Sequence, residues 1–165
     1  TGLLNRRAFD EALSEACARM RRLGEVVVLL LLDLDHFKRI NDAYGHSAGD
    51  NVLRAVSRAI VSSLREIDKA FRIGGEEFAV LLQGADSAAA LVTAERLRIA
   101  IAERPIEVDG RLIPVTTSVG IALARDEGEA DALLRAADAA LYRAKAEGRN
   151  RVIMSGDEGG TRAAH

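Results

Sequence analysis

Two hydrophobic periods alternate along the chain. Phe9, Leu13, Ala16 and Met20 recur every three to four residues and predict an amphipathic helix over residues 5–22, ended by Gly24. Val26 to Leu32 is then a continuous apolar run, β-branched at its start and of a length that suits a buried strand. The helical period returns over residues 47–64, with Val52, Leu53, Val56, Ile60 and Leu64 on its inner side. Residues 69–73 and 78–82 read as strands, 87–103 as a third helix stopped before Pro105, and 113–123 as one long alternating strand. An Ala-rich helix over 129–146 is closed by Gly148, and 151–154 is a short last strand. Helices alternating with strands, two of them joined by a tight hairpin, predict an α/β sandwich around a mixed, mainly antiparallel sheet.

Composition adds bounds. At 165 residues, 48% hydrophobic and 29% charged, the chain suits one globular domain with a sizeable core. The domain is expected over residues 1–154, and the Gly-rich, mostly polar stretch 155–165 is expected to be a disordered tail. A formal net charge of −2 argues against a general nucleic-acid binder and for a small ligand or a protein partner. The single cysteine, Cys17, excludes an intramolecular disulfide, fits a reducing cytosol and falls among the apolar positions of the first helix. No segment has the roughly 18 uninterrupted apolar residues of a membrane span, so no direct membrane contact is expected of this chain.

Candidate chemistry lies at two strand ends. Gly74-Gly75 reads as the turn of a hairpin that lifts Glu76 and Glu77 to an exposed tip, where paired carboxylates can hold a divalent cation or stand as solvated acids. The buried run 26–32 stops abruptly at Asp33, which is poised to meet the hairpin acids and share Mg²⁺ with them. Asp35 is expected in a structural or capping role, and His36 as a loop residue rather than a metal ligand.

In sequence order, five segments resemble the signatures of the GGDEF family of diguanylate cyclases. Thr1-Gly2-Leu3-Leu4-Asn5-Arg6-Arg7 is similar to the opening signature and Asp33-Leu34-Asp35-His36-Phe37-Lys38 to the metal and phosphate segment. The stretch from Asn41 to Asp50 resembles the guanine segment, Gly74-Gly75-Glu76-Glu77-Phe78 the name-giving motif with Glu in its variable third place, and Lys145 to Asn150 the closing basic motif. The Asp-x-Leu that usually precedes the opening signature is missing. This gives the expectation of a cytoplasmic catalytic domain whose sensor or membrane-anchoring region lies outside the sequence in hand.

The resemblance implies a nucleotidyl-cyclase palm with about five central strands, and GTP as substrate. Two GTP, one in each of two facing subunits of a transient homodimer, would be joined into cyclic di-3′,5′-GMP with release of two pyrophosphates. It also implies two Mg²⁺ per active site, or Mn²⁺ in their place, held by Asp33, the Leu34 carbonyl and Glu76, with Glu77 as the neighbouring essential carboxylate. Glu76 is the candidate general base, and a metal-bound hydroxide is the alternative.

The amides of His36, Phe37 and Lys38 open a helix after Asp35 and form a cradle for terminal phosphates, which Lys145 and Arg149 would clamp. Taken alone, those two cations are the solvated basic end of a helix. Asn41 and Asp50 are the candidate guanine readers, because a carboxylate accepts from both the N1 hydrogen and the 2-amino group that adenine lacks in that geometry. A turn residue and a helix cap are their plainer roles. Arg65-Glu66-Ile67-Asp68 has the Arg-x-x-Asp spacing of the family's product-binding inhibitory site, with Arg96 and Arg19 as secondary arginines; an ordinary ion pair at a helix end is the alternative. A catalytically silent receptor for cyclic di-GMP is the opposing class of function, and an adenylate cyclase a third.

Overall fold

The computed structural model describes residues 1–125 and 128–156. Helix α1 (Arg6–Leu23) starts at Asn5, whose side chain accepts from the Ala8 amide, and buries Phe9, Leu13, Cys17 and Met20 on one face. Strand β1 (Val27–Leu34) is buried along its whole length. Two helices follow it, α2 (Phe37–Tyr44) and α3 (His46–Ser62), broken from one another at Gly45. Strands β2 (Lys69–Arg72) and β3 (Glu77–Gln83) form the hairpin, and α4 (Ser87–Ala102) starts on an Asp86 cap. Two short strands, β4 (Ile106–Val108) and β5 (Arg111–Ile113), precede β6 (Thr117–Ala124), α5 (Ala130–Ala146) and β7 (Val152–Met154).

Five strands make one sheet in the order β2-β3-β1-β6-β7, antiparallel except for the β6–β7 pair. The expected α/β class with a mixed, mainly antiparallel sheet of five strands is therefore observed. Alternation along β1 divides the core: Val28, Leu30, Leu32 and Leu34 pack toward α2, α3 and α4, while Val27, Leu29 and Leu31 pack toward α1 and α5. Helix α5 lies tightly on β6, because a Cβ at Gly120 would collide with the Ala137 carbonyl and the Leu141 backbone.

Two expectations are corrected and one hairpin is added. The long strand over 113–123 is two strands, β5 ending at Ile113 and β6 starting at Thr117, because Pro114 has no N–H to continue a ladder. The small β4–β5 hairpin, turning at Asp109 (φ 51°) and Gly110 (φ 77°), was not legible from alternation in so short a segment. Gly74-Gly75 is the centre of a four-residue connection rather than a two-residue turn. Neither glycine takes a positive φ, and the loop closes with the Ile73 and Gly74 amides both donating to the Glu77 carbonyl. Of the tail 155–165, residues 157–165 lie outside the described residues, while the Ser155 amide donates to Ile121 O at 2.6 Å.

Candidate active site

The register of the sheet brings the candidate acids together. Asp33 stands opposite Glu77 across β1–β3 and opposite Ser118 across β1–β6, and the Leu34 amide donates to the Glu76 carbonyl at 3.2 Å. Asp33 is 4% exposed, so its carboxylate is withdrawn from water at the very end of the apolar strand. Glu76, half-buried in the connecting loop, has its pKa raised above the usual carboxylate range. Burial is the main cause, followed by the charge of Asp33 and a side-chain hydrogen bond with it; Glu77 raises it further and Lys145 opposes. The charge of Asp33 thus acts directly on Glu76.

Among the described residues, no three Asp, Glu, His or Cys side chains converge into a ready-made metal cage. The donor set at this spot is two carboxylates and main-chain carbonyls. These are hard oxygens, and the mutual repulsion of Asp33 and Glu76 is what a divalent cation would relieve, so the residues fit Mg²⁺. The cation now beside Asp33 is Lys145, whose Nζ lies 2.7 Å from Asp33 Oδ2. This modifies the sequence expectation, which gave Lys145 to phosphate: the ammonium reaches the acid centre itself, carried there by the last turn of α5.

Asp35 has the structural role expected of it. Its buried carboxylate accepts from Thr116 Oγ1 and Ser118 Oγ at 2.6 Å each and from the Asn150 amide at 3.0 Å. These bonds tie the loop after α5 to the ends of β1 and β6. In that loop Arg149 (φ 65°) and Asn150 (φ 45°) are left-handed, and Asn150 Oδ1 accepts from Arg98 of α4 at 2.9 Å. Arg149 is exposed, its amide held by the Ala144 carbonyl. Sequence reading quoted Asn150 without a role and missed Arg98, Thr116 and Ser118, since no local pattern shows which strand a buried carboxylate will face.

On the other side of Asp33, His36 is exposed and left-handed (φ 55°) at the start of α2, and its carbonyl accepts from the Arg39 and Ile40 amides. The amides of His36, Phe37 and Lys38 belong to the first turn, where a helix has no acceptors of its own to offer. Phe37 anchors that turn in the core and Lys38 is exposed. Asn41 of α2 faces the start of α3 so closely that a Cβ at Gly49 would collide with its Oδ1. Asp50 follows Gly49 and is exposed. The two candidate guanine readers therefore flank one helix junction.

At the far end of β3 the Arg-x-x-Asp pair is a closed unit in the turn after α3. Arg65 Nε and Nη2 each lie 3.2 Å from an Asp68 oxygen, the Arg65 amide donates to Asp68 Oδ2, and Nη2 also donates to Gln83 O at 2.7 Å. The Asp68 side chain is 1% exposed and that of Arg65 53%. Arg65 and Arg19 line one open groove of about 570 Å³ together with Glu25 and Asp86, and Arg19 pairs with Glu25 at 3.1 Å. Arg96 is not brought to this groove; its Nε is held by Ser63 O at 3.1 Å on the α4 face.

The family model described as "Diguanylate cyclase, GGDEF domain" matches residues 1–151. Diguanylate cyclase DgcP of Pseudomonas aeruginosa is 45% identical over 155 residues, which are 94% of this chain and 23% of that protein. Cyclic di-GMP phosphodiesterase NbdA of the same organism is 43% identical over 151 residues, 91% of this chain and 19% of NbdA. Among solved structures, the GGDEF domain of DgcB from Caulobacter crescentus in complex with c-di-GMP superposes with a TM-score of 0.90 at 36% identity, covering 94% of this chain and 92% of that one. The chain belongs to the GGDEF domain family, and it spans less than a quarter of the length of either curated relative.

Proposed function

We propose that the chain is an active, Mg²⁺-dependent diguanylate cyclase domain, making cyclic di-3′,5′-GMP and two pyrophosphates from two GTP held in two facing copies. The observation that carries this reading is the juxtaposition of Asp33 with Glu76 and Glu77 at the ends of β1 and β3, with the Lys145 ammonium 2.7 Å from Asp33. Asp33, Glu76 and the Leu34 carbonyl would hold Mg²⁺, which neutralises phosphate charge and lowers the pKa of the attacking hydroxyl. Glu76, whose proton affinity burial and Asp33 already raise, takes the proton of the ribose 3′-hydroxyl as its oxygen attacks the α-phosphorus and pyrophosphate departs. The first-turn amides of α2 cradle the terminal phosphates, Lys145 and Arg149 supply positive charge, and Asn41 with Asp50 reads guanine. Product feeds back at Arg65 and Asp68, with Arg19 in the same groove.

The competing reading is a silent module that binds cyclic di-GMP at Arg65 and Asp68, and the presence of NbdA among the relatives keeps it in view. One experiment separates the readings. The protein is incubated with GTP or ATP and Mg²⁺ and the nucleotides are resolved by chromatography. Cyclic di-GMP from GTP, lost on chelation with EDTA, is the expected result. Cyclic di-GMP binding without turnover would replace the proposal with the receptor module, and a cyclic product from ATP would replace it with an adenylate cyclase.

A further inference from the structure

Residues 73–76 contain two glycines, and the loop must nevertheless present Glu76 to Asp33 in one position. The first closure comes from the inside, where the Ile73 and Gly74 amides both donate to Glu77 O at 2.9 and 3.3 Å. The second comes from Arg72. Its Nε lies 3.2 Å from both the Gly74 and the Gly75 carbonyl oxygens, and its Nη2 donates to Gly75 O at 2.8 Å. Arg72 is itself fixed, paired with Phe78 across the β2–β3 ladder and with its amide on Leu4 O at 2.8 Å. A planar fork on two consecutive carbonyls is a geometry that guanidinium supplies and a single ammonium does not.

We propose that Arg72 is the positioning residue of the catalytic hairpin: its guanidinium holds the Gly74 and Gly75 carbonyls so that Glu76 is presented to Asp33. This rests on the cyclase reading for its consequence in turnover, but not for its consequence in the loop. Arg72 acts through Glu76 and takes no part in the chemistry. The Leu4 carbonyl extends the same chain of bonds to the segment ahead of α1, so a displacement there reaches the hairpin through one main-chain hydrogen bond.

The test compares the parent with Arg72→Lys and Arg72→Gln in two measurements. Amide hydrogen exchange, read without nucleotide or metal, is expected to quicken about tenfold or more at Ile73 and Gly74 in both variants, with α5 and β6 unchanged. Turnover of GTP is expected to fall about 10²-fold in kcat with little change in KM, the cost of a misplaced catalytic group. Unchanged exchange at Ile73 and Gly74 in Arg72→Lys overturns the proposal, as does faster exchange spread over the whole sheet, which would make Arg72 a general fold residue. If the parent makes no cyclic di-GMP, the cyclase reading fails while the exchange measurement still decides the role of Arg72.

Discussion

Charged groups gather at both ends of β3, and the two ends are built on opposite electrostatic plans. At the hairpin end, Asp33 and Glu76 face each other in a partly dry setting, and the pKa of Glu76 rises first because burial disfavours its charge and then because the charge of Asp33 does. At the other end, the equally buried Asp68 meets donors on every side: Arg65 through three nitrogens and the Gln83 amide at 3.4 Å. The first end holds more negative charge than its protein partners neutralise, so it gains from a cation. The second is already neutralised, so a ligand there gains only by using the half-exposed face of Arg65 and its neighbours in the groove. The proposed function gives chemistry to the first end and recognition to the second, with the same residue types in both.

The largest test of this contrast is Glu76→Gln. It removes one of the two opposed charges and the proposed base, and product formation is expected to fall about 10³-fold or more with the thermal transition preserved or raised. Retained turnover, measured by chromatography of the products, would place the chemistry elsewhere. Next, Arg65→Ala should weaken cyclic di-GMP by about 1.5–3 kcal/mol, the range for a lost charge-assisted bond. Initial rates at low product should change far less, so progress curves continue where those of the parent stall. A variant that loses initial rate and keeps product affinity would erase the distinction between the two ends. The smallest expected effect is at the helix junction: Asp50→Ala should weaken GTP by about 1–3 kcal/mol and leave ATP nearly unchanged in calorimetry. Equal losses for both nucleotides would make Asp50 a structural residue.

The sequence carries these two ends unequally. The strand that delivers Asp33 is visible because seven apolar residues stop at an acid, and Glu76 and Glu77 are visible because glycines precede them. What converges on them from a distance is not. Lys145 lies 112 positions from Asp33 and reads as the basic end of a helix until the fold places it on the carboxylate. Likewise Arg65 and Asp68 can be paired by their spacing, whereas the Gln83 backbone that completes the unit comes from pairing β2 with β3. Arg96 shows the converse: its chemistry suits a phosphate, but the helix carries it to Ser63 and away from the groove. Element types survived because their periods are local, while the β5–β6 break depended on a single proline within an otherwise alternating run.

The contact at Gly120 makes α5 a lever. The helix rests on a strand residue that has no side chain, touching it at Ala137 and Leu141, and Lys145 sits one turn beyond that fulcrum. A single methyl group at position 120 would be a wedge under the helix, and the displacement it forced at the fulcrum would be carried outward to the ammonium on Asp33. The placement of a charge is thus governed by a hydrogen atom in the core, and a change with no polar chemistry of its own would read in an assay as the loss of a cation.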